Sequence, residues 1–533
     1  MRTLEISNFK GKMTKDLIGT LDSGFSPFAL TTYGIDPFWD SYDTNITFIP
    51  KLYVLKDIYP NGTITNMIPS NEGSGTSTIP VVFGVGIDGK AYKITVSNTT
   101  SPDYDYLETF SNALSGNMKR SGRALISQID GVNKIYVGTS VGLEKSSGLT
   151  TSATFSTVSA TGMSTDVPRP IEQFLGNIYV ANDNNIAETT NGTSFTTLTK
   201  LSPSLPNGYT IRDMQVSQDG RYLIIIASQN FSAGYIFDQT LGNQQISGTM
   251  NSVILYWNGV DKTYSSLQFM NGVNLSSLLI TNTYSIMFGK DDEGVCVYNL
   301  DGTKLATLFD IGYALYPPLP GNSFAVGNKV FFQMQIGGFI YIVCYDKSDN
   351  SFYFLNRYGL SGEAIKGGIC VPSFHNQKIS GSTDTTRTKL YFSFGTVDTT
   401  GGTIDTVVEY FHLQNYGDSL TQGYYSTQVQ KFAKKIALKK IRVYCNPTDS
   451  NTKFTLNLID QTGNVITNGA FTYQYASGTD TTKGQGALDI IKFTPKTIPV
   501  SSLGIQIQNQ GNSGVNISKI EIDYDELDEP PQK

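Results

Sequence analysis

The sequence predicts an all-β protein: a β-propeller of about seven blades, an extended N-terminal arm before it, and a jelly-roll-like β-sandwich after it. Three observations point there. First, the 533-residue chain is 39% hydrophobic but only 16% charged, with 31 Tyr and 29 Phe. Tyr, Phe and Thr favour half-buried strands, and the abundant Gly, Asn and Ser favour turns. Second, a polar residue followed by a short apolar or aromatic run recurs at intervals of mostly 43 or 44 residues. Third, the carboxy-terminal part switches to strict alternation of apolar and polar residues, the period of strands with one buried face.

Residues 1–44 form the first element. The opening "MRTLEISNFKGKMTKDLIG" mixes charged and apolar residues and lacks the apolar core of a signal peptide. The chain has no run of 18 apolar residues, so no membrane partner is expected, and synthesis and folding are expected in a cytoplasm. "FALTTYGIDPFWD" is rich in aromatics and holds Trp39, one of two tryptophans. An arm of this composition lies across a propeller or docks on a neighbour, with Phe38 and Trp39 as candidate anchors.

The propeller is predicted over residues 45–414. Its repeated clause is anchored at Lys90, Lys134, Asn177, Arg221, Ser285, Lys329 and Lys389, with steps of 44, 43, 44, 64, 44 and 60 residues. A four-stranded blade uses about 40–50 residues, so the two long steps carry an extra hairpin or loop. Asp-Gly turns in "IDGK", "QDGR" and "LDGT" suit tight hairpins, which need positive φ. A single blade cannot bury both faces, and stacking blades in a ring solves this while protecting strand edges. "NITFIPKLYVLKD" from Asn45 is expected to close the ring against "TVVEYFHL" near Val407.

The β-sandwich is predicted over residues 415–524. Phe454, Leu456 and Leu458 share one face of a strand, as do Leu503, Ile505 and Ile507, and Ile520, Ile522 and Tyr524. Residues 525–533, "DELDEPPQK", read as an acidic disordered tail. Lys431, Lys434, Lys435, Lys439, Lys440 and Arg442 form the one concentrated basic cluster. Ile441, Val443 and Cys445 alternate beside it, so the cluster reads as a strand with solvated lysines, and lysines discourage edge-to-edge pairing. Lys434 and Lys435 are its candidate contacts to an acidic neighbouring subunit.

Several residues carry resemblances. "KSSGLTTSATFSTV" from Lys145 and "ETTNGTSFTTL" from Glu188 resemble degenerate Asp-box repeats of sialidase-like propellers, with Asn191, Gly192 and Phe195 in relaxed agreement. In those families the box is a structural hairpin away from the active site. Asn8, Phe9, Lys10 and Gly11, then Gly24-Phe25, then Asp36-Pro37-Phe38 resemble the opening of tailed-bacteriophage virion proteins, in which a short strand and an aromatic segment precede a β-propeller. "KKIRVYC" and "SKIEIDYDE" resemble the carboxy-terminal sandwich of the same proteins, and also the general look of jelly-roll carbohydrate-binding modules. That resemblance implies a virion protein, tail-associated as a nozzle, collar or tip component. It implies assembly with other tail proteins and with its own copies in a symmetric array, with Phe9, Lys10, Gly11, Phe38 and Trp39 as arm contacts.

The motifs of catalysis are weak. Gly138-Thr139-Ser140-Val141-Gly142 matches the nucleophile-elbow pattern, but no helical period follows it, so Ser140 is expected in a hairpin. His375 and His412 are the only histidines and sit in no metal-binding or triad frame. Cys296, Cys344, Cys370 and Cys445 read as buried thiols. Arg120, Arg123, Arg169, Arg212 and Arg221 show no sialidase-like placement, and the Asp291-Asp292-Glu293 stretch reads as a turn and not a Ca²⁺ loop. The net charge of −6 argues against nucleic-acid recognition. The sequence thus predicts a non-enzymatic structural protein with no catalytic residues, no cofactor and no metal. Binding of a host surface glycan or receptor is the alternative, and carboxylate-based glycan degradation a more distant one.

Overall fold

The computed structural model describes residues 1–6, 10–13, 18–19, 28–33, 53–54, 64–72, 79–86, 89–95, 106–115, 123–158, 162–164, 167–195, 205–229, 251–309, 317–318, 320–336, 339–348, 350–358, 373–378, 386–397, 404–412, 423–445, 448, 452–475, 481–483, 489–496, 499–511 and 515–527. Among these the chain is all-β, without a helix. It divides into two compact units. One comprises Tyr53–Tyr341 and Tyr358–Tyr410, and the other Met1–Leu52, Ile342–Arg357 and Phe411–Lys533.

The β-propeller has six four-stranded blades, which begin at Ile64–Glu72, Ala124–Ser127, Tyr209–Val216, Asn274–Ile280, Ser323–Val326 and Ser373–Lys378. A three-stranded sheet of Ile171–Phe174, Asn177–Asn182 and Asn185–Thr189 lies between the second and third of them in the chain. The first strands neighbour one another in chain order, and Ser373–Lys378 returns to Ile64–Glu72. The last blade takes its fourth strand from the other end of the unit. Tyr53–Val54 pairs antiparallel with Ile404–His412, joining Tyr53 to Tyr410, where the sequence placed the closure.

The strands explain the stacking. In Lys134–Thr139, Ile135 and Val137 join a core with Val81, Phe83 and Val85 of the preceding sheet, whereas Tyr136 joins one with Ile171, Ile178 and Val180 of the next. Leu223–Gln229 behaves alike: Leu223, Ile225 and Ala227 pack with Tyr179 and Trp257, and Ile224 and Ile226 with Leu278 and Met287. Successive side chains point to opposite faces, and both faces are covered, so these strands read as unbroken apolar runs. Each fully buried Ile or Val contributes roughly 1.5–3 kcal/mol relative to exposure.

Five of the seven repeat anchors fall in the second strand of a sheet and Arg221 lies two residues before one, Leu223–Gln229, but Lys90 precedes the third strand of its own sheet, Ala91–Thr95. The second strand there is Ile79–Gly86, whose "IPVVFGVG" lacks the polar residue that marks the others.

In the second unit twelve strands pair in the order Arg2–Ile6, Ile517–Glu526, Val429–Cys445, Val500–Asn509, Tyr424–Thr427, Phe28–Tyr33 and Lys10–Met13, with five further strands paired along that path. The alternation read from sequence is realised. Phe454, Leu456, Leu458, Leu503, Ile505, Ile507, Ile520, Ile522 and Tyr524 are buried in one core with Ile441, Val443 and Cys445. The stretch expected as an arm contributes four strands, all paired within this sheet. Arg2–Ile6 runs antiparallel to Ile517–Glu526, from Arg2 opposite Tyr524 to Ile6 opposite Ile520. The last strand continues through Glu526, two residues beyond the expected boundary, because Asp525 and Glu526 still pair with Ala437 and Ile436. Cys296, Cys344 and Cys445 are buried free thiols, and Cys370 lies outside the described residues.

Candidate functional site

The residues expected to make assembly contacts fall in two places. Lys434 and Lys435 are exposed on Val429–Cys445, where a register shift between Lys431 and Ile436 leaves Ala433, Lys434 and Lys435 all facing solvent. Lys10 and Gly11 lie on Lys10–Met13, the last strand of the order, which pairs parallel with Phe28–Tyr33. Phe9, Phe38 and Trp39 lie outside the described residues.

Part of the basic cluster is engaged with carboxylates of the same sheet. Arg442 donates from Nε to Glu521 Oε2 at 2.8 Å and from both terminal nitrogens to Asp523 at 2.8 and 2.9 Å. Tyr444 donates to Glu521 Oε2 at 2.8 Å, Lys519 pairs with Glu521 Oε1 at 2.7 Å, and Thr3 donates to Asp523 at 2.8 Å. Burial pushes the Glu521 carboxyl up, but hydrogen bonds from Lys519, Arg442 and Tyr444 outweigh it and hold the group down at about 2. Lys439 reaches Asp525 at 3.4 Å. This ladder locks the strand Arg2–Ile6, through Thr3, to the last strand of the sheet.

A second polar cluster sits on the inner strands of the propeller, and sequence reasoning did not find it. Asp213, fully buried, accepts Arg123 Nε on Oδ1 and an Arg123 terminal nitrogen on Oδ2, each at 2.8 Å. It also accepts the Met214 N–H at 2.9 Å and the Leu278 N–H at 2.7 Å, while Arg123 donates to the Leu278 carbonyl at 2.9 Å. Two irregularities make these reaches possible: one between Ile211 and Asp213, the other between Leu275 and Ser277. Bulges of this kind re-aim side chains. Glu172, on the first strand of the three-stranded sheet, is half-buried and coupled to both charges. Burial pushes its carboxyl up to about 7 against the pull of Arg123. No local pattern signals this cluster, because Arg123 and Asp213 are 90 residues apart.

The arrangement is poorly suited to glycoside hydrolysis by this carboxylate pair. That chemistry needs one carboxylic acid and one available carboxylate. Glu172 has the raised proton affinity of an acid, but all four acceptor positions of Asp213 are occupied by donors of the fold itself.

The remaining sequence candidates are structural. Thr139 pairs with Gly142 across a two-residue turn that contains Ser140, so the elbow-like motif is a hairpin followed by a strand. Its two glycines have separate causes. A Cβ on Gly138 would lie 2.1 Å from the Arg169 carbonyl oxygen, and Gly142 has a φ of 123°. Arg169 is fully buried, donating to Ala181 O at 2.9 Å and Asn182 Oδ1 at 3.2 Å, and burial lowers its pKa to about 10. In the Asp-box-like turn, Asn191 Oδ1 accepts the N–H groups of Thr193 and Ser194 at 2.9 and 3.1 Å, while Thr189 Oγ1 accepts that of Gly192 at 3.0 Å. Gly192 (φ 64°) sits against Tyr136 and Ile129 of the preceding blade. Asp291 Oδ1 accepts the N–H groups of Glu293 and Gly294, and its other oxygen pairs with Lys304 at 2.7 Å.

No protein-family model matches the chain, and no curated protein matches it. Among solved structures it is similar to the extracellular domain of BT4673 from B. thetaiotaomicron, with a TM-score of 0.41 and 10% identity over 91% of this chain and 64% of that one. It is also similar to the Dos1 propeller, with a TM-score of 0.36 and 12% identity over 68% of this chain and 82% of that one. Against Chaetomium thermophilum Raptor the TM-score is 0.38 and the identity 10%, over 69% of this chain, which spans 30% of Raptor's length. These likenesses assign no activity.

Proposed function

We propose that this chain is a structural component of a tailed-phage particle, tail-associated as a nozzle, collar or tip protein, which acts by assembly and not by turnover. In this reading the three-stranded sheet at residues 171–189 is a seventh blade, and the carboxy-terminal strands form a jelly-roll-like β-sandwich. Assembled in the host cytoplasm and resident in the virion, the protein contacts other tail proteins and copies of itself through Phe9, Lys10, Gly11, Phe38, Trp39, Lys434 and Lys435. The resemblance of Asn8 to Gly11 and of Asp36-Pro37-Phe38 to virion proteins supports the setting.

The observation that carries the mechanical part is the use of Asp213. Its four donors come from its own sheet, from the sheet of Arg123 and from the sheet of Leu278, so a buried charge stiffens the ring across three sheets. A rigid disc lets many weak contacts add up under symmetry without an ordering cost at each.

Immunogold electron microscopy tests the reading, using an antibody raised against this protein on particles from a lysate that contains it. Gold at a fixed place on tailed particles is the expected result. Unlabelled particles beside reactive soluble protein would overturn it and redirect attention to glycan-binding assays.

A further inference from the structure

The outer edges of propeller blades need guarding, because an unpaired strand is a template for another chain. In the six blades two outer strands are short: Phe155–Thr157 has three residues and Tyr53–Val54 two. Three more carry a charge, Glu108 in Tyr106–Thr109, Lys304 in Lys304–Phe309 and Arg357 in Ser351–Tyr358. Ser266–Asn271 has neither guard. It is six residues long, reads SLQFMN, and lies in a stretch with no charged side chain between Lys262 and Lys290. Among the described residues it pairs only with Asn251–Trp257, which leaves its outer edge open. One face of the strand is covered. Met270 is buried in the core shared with the next blade, and Gln268 Nε2 donates to the Asp301 carbonyl at 2.7 Å. Leu267 and Phe269 face the other way. Leu267 is half-buried against the core of Leu255 and Trp257, but Phe269 is 54% exposed, meeting Tyr209 edge-on with the ring centroids 6.4 Å apart.

We propose that Ser266–Asn271 pairs antiparallel with the same strand of a second copy, making an isologous dimer about a two-fold axis normal to the sheet. Residues opposite one another in an antiparallel pair point to the same face, so the residue on the axis meets itself. The length of the strand centres the axis on Gln268 or on Phe269. In the first register Phe269 lies opposite the copy's Leu267, and in the second opposite the copy's Phe269. Both are apolar cross-strand pairs of the kind that stabilise sheets. In neither register does a charge lie opposite a charge. The same pairing by Tyr106–Thr109 would set Glu108 opposite or diagonal to its own copy, where like charges repel. A foreign strand bearing charges would find no counter-charge on this edge. The occupant whose chemistry matches is therefore an identical strand, uncharged and able to cover Phe269 with Phe269 or Leu267. The pairing does not depend on the chain being part of a virion.

Sedimentation velocity on the full chain tests this, over about 5 to 500 μM at low salt. One strand pair is a small interface, so a monomer–dimer equilibrium with a dissociation constant on the order of 100 μM is expected. Phe269→Lys and Phe269→Glu each place like charges close together across the axis and should weaken the dimer by about tenfold or more. The two variants mixed should associate more tightly than either does alone, because opposite charges then meet across the axis. A chain that stays monomeric to the highest concentration would overturn the proposal and leave this edge to another partner. Association unchanged in Phe269→Lys would also overturn it, and would assign self-contact to other surfaces without touching the virion reading. A mixture no tighter than its components refutes the pairing of these two strands. Should Phe269→Lys fail to fold by circular dichroism, Asn271→Lys puts a charge at an exposed position of the same strand and must weaken the dimer. An unweakened dimer there overturns the pairing too.

Discussion

Gly138→Ala is the sharpest probe of how the sheets stack. A Cβ at this position would lie 2.1 Å from the Arg169 carbonyl oxygen, 2.8 Å from its Cβ and 3.1 Å from its carbonyl carbon. Contacts between such atoms are comfortable at about 3.5 Å, so the backbone of the next sheet must retreat by more than ~1 Å. It cannot do so freely. The Arg169 side chain is anchored to Ala181 O at 2.9 Å, and Ile171, two residues on, is fully buried. Inserting a methyl into a packed interior costs about 1–3 kcal/mol. Because the obstacle is backbone, the cost should sit at or above the top of that range, at about 3 kcal/mol. Urea titration of Trp39→Phe protein isolates the fluorescence of Trp257, which is fully buried and packs edge-on against Tyr179 at 5.2 Å in the neighbouring core. A Gly138→Ala midpoint within about 0.5 kcal/mol of the parent would refute the stacking argument.

Two further predictions concern other parts of the fold. Glu521 is held down at about 2, so its contribution is fully present above the ordinary carboxylate range and is lost as pH falls toward the folded value. Unfolding of the unaltered protein should lose about 2 kcal/mol between pH 7 and pH 3 from this group, and Glu521→Gln should remove that component in paired urea titrations. Asn191→Ala removes the acceptor for the Thr193 and Ser194 N–H groups in an exposed turn. A loss of about 1 kcal/mol by thermal or urea unfolding is expected, and no loss would mean that water replaces the side chain fully.

The sequence by itself determined whatever depends on neighbours in the chain. Alternation at Phe454, Leu456 and Leu458 fixed which face is buried, since adjacent side chains in a strand must oppose one another. The interval of 43 or 44 residues located the second strand of most blades, and "TVVEYFHL" marked the strand that receives Tyr53–Val54. Ser140 was legible as a hairpin residue because its equivalent in the next copy, Asp183, occupies the same turn with a φ of 61°. Only the tertiary structure decided the rest. Thr3 meets Asp523 from 520 residues away, and Arg123 meets Asp213 from 90. No periodicity reports such pairs, because their geometry comes from ring closure, strand order and two bulges, each set by the packing of whole sheets. The glycine at 138 belongs to the same class. A motif reading sees an elbow, but the reason for that glycine is the backbone of Arg169 on the neighbouring sheet, which a one-dimensional pattern cannot contain.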